Sequence, residues 1–311
     1  MDRRGFMLTA GAGLLSGCAG GPGQIGNPTS EWPPLGRFVD AQGLRVHAWE
    51  QGQGRPVIMI HGASGNLRDF TFDLAPKIAK SHRAIAFDRP GLGYSQRAPE
   101  RGGEPAVQAR ILQAAAKSMG VERPILVGHS WGAALALAWA LADPDGVAGV
   151  VTVSGAVMPW STRPMLAELI GIDQLMVGYY WDYLQSTIAD NGVERFVRRV
   201  FRPQDPPPGY IDYIGAQLSL QPDIISASKE DIGTLNTALR RQAPGYHSIK
   251  TPVEVISGTA DFIIKPDRQP IPLVERLPDA RLTLLEGVGH MAHHVHPEAV
   301  LAALDRLEAR I

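Results

Sequence analysis

Three residues of this chain have the types needed for nucleophilic catalysis, and each follows an apolar run. Ser130 lies in Gly128-His129-Ser130-Trp131-Gly132, a G-x-S-x-G pattern. Pro124-Ile125-Leu126-Val127 before it reads as a short buried strand, and Ala133 to Ala140 after it reads as a helix. A strand-to-helix turn this tight crowds its own backbone, so glycine is needed on either side of the serine. It would lift the serine oxygen clear of the sheet and set its backbone at a helix N-terminus. Asp261 follows Val253-Glu254-Val255-Ile256, and His290 follows Leu282-Thr283-Leu284-Leu285 within Gly287-Val288-Gly289-His290. A serine hydroxyl is a poor nucleophile at neutral pH. A histidine can take its proton and return it to a leaving group, and a carboxylate can hold the imidazole in the right tautomer. The chemistry these residues suit is acyl transfer. Against it stand plainer roles, an unreactive turn serine at 130 and a capping aspartate at 261. Ser154-Gly155, after the preceding strand, offers no rival carboxylate.

The elements that must position these residues alternate. Strands are expected near 36–40, 44–50, 56–60, 83–87, 124–128, 147–153, 252–257 and 281–286. Helices are expected near 69–80, 105–119, 131–142, 268–277 and 297–309. This order implies an α/β architecture, a doubly wound, mostly parallel eight-stranded sheet with helices on both faces. Polar residues in loops after such strands fall where open α/β sheets place their sites. The expected division is a core of 36–156 and 246–311, interrupted by a helical cap over 157–245. Trp160, Tyr179, Tyr180, Trp181, Tyr183, Phe196, Phe201, Tyr210 and Tyr213 put nine of the chain's 21 aromatics in that insertion. This favours an apolar lid facing a ligand, although some of these rings must pack the cap itself. Tyr179, Tyr180, Tyr183 and the Trp131 side chain are the pocket candidates. In the cap, Val193, Phe196, Val197, Val200 and Phe201 mark one helical face. Arg195, Arg198, Arg199 and Arg202 mark the other, which reads first as solvated and second as a contact for anionic headgroups.

With these motifs in place, the chain resembles the capped α/β-hydrolase fold enzymes related to epoxide hydrolases, haloalkane dehalogenases and serine esterases. The resemblance covers about 36–310. It includes Asp88-Arg89-Pro90-Gly91-Leu92-Gly93-Tyr94-Ser95, like the family's D-x-x-G-x-G-x-S turn, and the chain order Ser130, Asp261, His290. It implies an oxyanion hole from the backbone N–H groups of Trp131 and of Ala63, in the loop His61-Gly62-Ala63. Relatives that open epoxides or displace halide carry Asp at the elbow. Ser130 sets that chemistry aside. The function implied is hydrolysis of a carboxylic ester of a small to medium apolar substrate through an acyl-enzyme, with no cofactor. C–C bond hydrolase, amidase or peptidase, lactonase and perhydrolase remain alternatives on the same triad. Met291 stands where C–C hydrolases of this fold tend to carry Trp. A non-catalytic ligand-binding homologue would typically lack a triad member.

The histidines around the site raise a metal question. His293, His294 and His296 follow His290, but zinc sites usually need ligands at fitting separations with a supporting carboxylate or cysteine, and no H-E-x-x-H is present, so no metal is expected. His61 and His129 read as scaffolding rather than bases, and Asp88 and Ser95 as turn formers. The net charge of −1 and pI near 6.8 give no basic excess for nucleic acid. At the N-terminus, Arg3-Arg4 with Phe6 and a short apolar stretch to Leu15 resembles a twin-arginine export signal. Leu15-Ser16-Gly17-Cys18 resembles a bacterial lipobox. The expected organisation is a signal over 1–18, a flexible tether over 19–35, and an exported protein held in the bacterial cell envelope by lipid on Cys18. If the host is Gram-negative, the anchor would sit on the periplasmic face or in the outer membrane. The other reading is an ordinary secretory signal with an incidental cysteine. Cys18 is the only cysteine, so no disulfide forms within one chain.

Overall fold

The computed structural model describes residues 28–159 and 192–311. Cys18, Tyr179, Tyr180 and Tyr183 lie outside the described residues. Among those described, the strands are β1 (Arg37–Ala41), β2 (Leu44–Gln51), β3 (Pro56–Ile60), β4 (Arg83–Phe87), β5 (Ile125–His129), β6 (Gly149–Val153), β7 (Val253–Gly258) and β8 (Ala280–Leu285). They form one sheet in the order β1-β2-β4-β3-β5-β6-β7-β8. β1 pairs antiparallel with β2, and β2 with β4; all other pairings are parallel. The parallel strands are Val/Ile-rich runs because helices cover both of their faces. β5, β6 and β7 are buried at every residue, whereas the edge strand β8 is half exposed.

One apolar layer joins the sheet to the helices α4 (Pro105–Ser118) and α5 (Trp131–Ala142) and includes Leu112, Leu135, Leu137 and Trp139. The other joins it to α3 (Leu74–Ile78) and the C-terminal helix Pro297–Glu308 and includes Phe70, Ile78, Val300 and Leu304. The helix expected over 69–80 is broken into α2 (Arg68–Thr71) and α3. Pro76 explains the break. Inside a continuous helix its ring would strike the carbonyl four residues back, whereas a restart at Leu74 puts it in a first turn, where no N–H is needed.

The described part of the insertion is helical. It comprises α6 (Gly192–Phe201), α7 (Tyr210–Ile214), a 3₁₀ turn at Ala216–Leu220 and α8 (Pro222–Gln242). The end of the expected tether is instead docked. Pro28–Glu31 is a helical turn, and Trp32 is buried, with its indole N–H donating to the Asp212 carbonyl at 2.7 Å. Tyr94 donates to the Trp32 carbonyl and Arg68 to that of Pro33, so a buried aromatic and its backbone tie this segment to cap and core. Among the described residues no helix is long and apolar enough to cross a membrane.

Candidate active site

The turn from β5 to α5 bends the chain at Ser130, whose φ of 52° and ψ of −116° lie outside the regions an L-residue normally adopts. Such strain persists only where the surroundings over-determine it. Here the Ser130 N–H donates to Val153 at 2.9 Å, and its carbonyl accepts from Ala133 and Ala156 at 3.1 and 3.0 Å. The expected glycines are needed: a Cβ at Gly132 would strike the Ile60 carbonyl, and one at Gly128 the Gly132–Ala133 backbone. Trp131 is the first residue of α5, so its N–H has no acceptor within the helix. Ala63 is exposed and lines the cavity that Ser130 also lines.

Asp261, just after β7, accepts at Oδ1 from the backbone N–H groups of Ile263 and Ile264 at 2.9 and 2.8 Å. Its Oδ2 lies 2.8 Å from Nδ1 of His290. Both side chains are buried. Ser130 and His290 share the wall of one cavity of about 260 Å³. Val193, Phe196, Val197, Val200 and Phe201, the whole apolar face of α6, line it, so that face serves the cavity and the arginines lie outside. Tyr210, Ile214, Ile263 and Met291 continue the lining, and no Lys or Arg belongs to it among the described residues.

The Trp131 side chain does not line this cavity, contrary to the sequence reading. It is 1% exposed and faces inward. Its indole N–H donates to the Asp231 carbonyl at 3.1 Å, and the Arg89 guanidinium stacks 3.9 Å from its ring centre. Arg89 is a positioning residue that the sequence left hidden inside a turn motif. It donates to the carbonyls of His61 and Gly62 and pairs with buried Asp231 at 2.7 Å. It thereby joins the Ala63 loop, the elbow tryptophan and α8. Asp231 also accepts from Gln108 and Arg97. His61 is scaffolding, as expected. Its Nε2 accepts from the Arg89 N–H at 3.0 Å, so its Nδ1 carries the proton donated to the Gly62 carbonyl at 2.9 Å. Burial and the neighbouring Arg89 charge push its pKa down to about 4. Asp88 accepts from the N–H groups of Leu67 and Tyr94, and the Ser95 hydroxyl donates to the Asp88 carbonyl, which holds the turn.

A second buried carboxylate was not anticipated. Asp69, on α2, accepts at Oδ1 from Tyr210 Oη and His294 Nε2, both at 2.8 Å. Its Oδ2 lies 3.2 Å from His293 Nε2 and 3.8 Å from His129 Nδ1. Burial alone raises this carboxyl, but His293 and His294 outweigh it and hold it well below the usual range. Asp69, His129 and His293 offer ligand atoms within 4.8 Å of one another. The carboxylate that meets His293 thus comes from 224 residues away. His296 stands apart, half-buried and bonded to Glu298 at 2.6 Å. No local pattern marks Asp69 in the sequence, since it is one polar residue in a short helix.

Residues 55–297 match the family model described as alpha/beta hydrolase fold. The chain belongs to the α/β-hydrolase fold family and is a hydrolase of that fold. It is 27% identical over 273 residues to 2-hydroxy-6-oxo-6-phenylhexa-2,4-dienoate hydrolase of Burkholderia cepacia, across 84% of this chain and 91% of that protein. It is 25% identical over 295 residues to 2-hydroxymuconate semialdehyde hydrolase of Pseudomonas putida, across 88% of this chain and 93% of that one. Its fold is also that of 2-hydroxy-6-oxo-6-phenylhexa-2,4-dienoate hydrolase from Rhodococcus sp. strain RHA1, with a TM-score of 0.70 at 18% identity, covering 88% and 97% of the two chains.

Proposed function

We propose that Ser130 attacks the carbonyl carbon of a small to medium, apolar carboxylic ester. His290 takes the serine proton and passes it to the departing alkoxide. Water then attacks the acyl-enzyme with His290 as base, and Asp261 stabilises the imidazolium in both steps. The N–H groups of Trp131 and Ala63 receive the oxyanion, each contributing roughly 3–4 kcal/mol to the transition state. One observation carries this reading: a strained Ser130 shares an apolar cavity with a histidine bonded at 2.8 Å to a buried aspartate.

A second reading is favoured by the relatives. One is named for 2-hydroxy-6-oxo-6-phenylhexa-2,4-dienoate, whose 6-oxo carbon stands in an all-carbon chain, so acyl transfer at that carbonyl would break a carbon–carbon bond. The relatives weigh toward this bond, and the cavity toward the ester, because a dienoate brings a carboxylate and the described lining offers no cationic side chain. Parallel assays of p-nitrophenyl esters of graded length and of 2-hydroxy-6-oxo-6-phenylhexa-2,4-dienoate separate the two. Ester turnover that vanishes in Ser130→Ala is the expected result. Dienoate turnover with inert esters overturns the ester reading in favour of the carbon–carbon one.

We infer further that the chain is exported and lipid-anchored at Cys18. Arg3-Arg4, the short apolar stretch and Leu15-Ser16-Gly17-Cys18 support this. Intact mass of the membrane-extracted protein tests it. A species beginning at Cys18 without added acyl mass would refute the anchor.

A further inference from the structure

The geometry points to a binding site for one divalent transition-metal ion of the zinc class, held by Asp69 Oδ2, His129 Nδ1 and His293 Nε2. The inference is independent of which bond is cut at Ser130. It starts from His129. Nε2 of this ring lies 3.3 Å from the His290 carbonyl oxygen, which can only accept. In the neutral ring Nε2 must therefore carry the proton, and Nδ1 is left as a bare lone pair. That atom is buried without a hydrogen-bond partner and faces the Asp69 carboxylate at 3.8 Å. The other neutral tautomer only moves the conflict, since it sets a bare Nε2 against the carbonyl. Two lone-pair donors facing each other across such a gap repel unless a cation lies between them.

The surroundings are those a metal ion requires. Two bonds of about 2.0–2.1 Å at a roughly tetrahedral angle place ligand atoms about 3.3 Å apart. The Asp69 oxygen is 3.2 Å from His293 Nε2 and 3.8 Å from His129 Nδ1, and the three ligand atoms lie within 4.8 Å of one another. Metal-binding histidines usually donate their other ring N–H to a carbonyl or carboxylate, as His129 does to His290. The free oxygen of a metal-binding carboxylate is usually hydrogen-bonded, and Asp69 Oδ1 has both Tyr210 and His294. The second nitrogen of His293 is unpartnered with or without an ion, so it does not discriminate. Two imidazoles and one carboxylate suit zinc and its neighbours better than magnesium or calcium. Asp69 and His129 also line the cavity, which provides an entry path and a place for water as a further ligand. A bound ion would fasten α2 and the helical turn Ala292–Val295 to the end of the elbow strand, one residue before Ser130.

The test uses purified protein stripped with dipicolinate and dialysed. Calorimetric titration should show one Zn²⁺ taken up per chain, and Co²⁺ in its place should give visible d–d bands. Asp69→Asn and His293→Gln should each weaken Zn²⁺ binding at least tenfold and remove the bands, while His296→Ala changes neither. Absence of stoichiometric uptake by the wild type overturns the proposal. So does uptake unchanged in both ligand variants, or uptake lost in His296→Ala, which would place binding on the surface. Should the ligand variants fail to fold, the wild type decides alone: its melting temperature rises with Zn²⁺ and not with Mg²⁺, and no rise overturns the site.

Discussion

Two buried aspartates stand on either side of the Ser130–His290 cluster, and they are built differently. Asp261 is held by its own loop, where the N–H groups two and three residues on fill Oδ1 and leave Oδ2 for His290. Asp69 is held by side chains from two distant segments, Tyr210 of the insertion and the C-terminal histidines His293 and His294. A carboxylate fixed by local backbone is aimed at one partner whatever the cap does. A carboxylate fixed by tertiary contacts reports on whether the insertion and the C-terminal histidine turn are assembled on α2 together. The first arrangement suits a group that must orient a base through a catalytic cycle, and the second suits a group that assembles the site.

The largest expected effect tests this contrast directly. Ser130→Ala and His290→Ala should each lower kcat/KM by at least ~10⁴-fold, and Asp261→Asn by a comparable factor. The double variant Ser130→Ala/His290→Ala should lose little more than either alone, because the residues act as a unit. Asp69→Asn should cost at least tenfold less in kcat than Asp261→Asn while lowering the melting temperature more. Equal losses of kcat from the two aspartates would erase the distinction drawn between them.

Next in size is the network around Arg89, which joins the His61–Ala63 loop to the Trp131 turn and α8. Arg89→Met leaves Asp231 buried without its main partner. Breaking such a pair from one side costs at most about 3–5 kcal/mol, less what Arg97 and Gln108 still supply to Asp231, read as a lower denaturation midpoint in urea. If Arg89→Met unfolds at the wild-type midpoint, the network does not hold these three segments.

Acid should act on the same region. With a pKa near 4 in the folded chain and about 6.5 when unfolded, His61 takes up a proton more readily in the unfolded state. Its contribution is fully present above about pH 6.5 and is lost as pH falls toward 4, by up to about 3 kcal/mol. His61→Asn keeps a donor but cannot be protonated, so its stability profile should be flatter over that window though lower at pH 7. A wild-type stability that does not change between pH 7 and 4.5 would contradict this assignment.

The smallest effect concerns the cavity wall. Phe196 is 38% exposed at the rim of the lining face of α6. Phe196→Ala should shift preference toward longer acyl chains and change KM by a few-fold with kcat nearly constant. A large fall in kcat with unchanged chain-length preference would mean that α6 positions the catalytic groups rather than bounding the substrate.

By itself the sequence determined the sheet, the elbow and the loops carrying Asp261 and His290. Each depends on signals within a few residues: Val/Ile runs for buried strands, glycines around Ser130, and loops that begin where those runs stop. Expected and observed strands agree to within about two residues at their ends. The apolar face of α6 was visible as helical spacing, but its target was not, because periodicity states that a face is buried and not against what. Tertiary structure alone decided the rest. It turned Trp131 inward, since the indole N–H met the Asp231 carbonyl and the ring met Arg89. It anchored Trp32 on the cap and gathered Asp69, His129, His293, His294 and Tyr210 from segments far apart in the chain. Those contacts arise where helices and loops cross after the sheet has formed, and nothing in the local order of residues encodes which polar groups will meet in a buried space that leaves them no water.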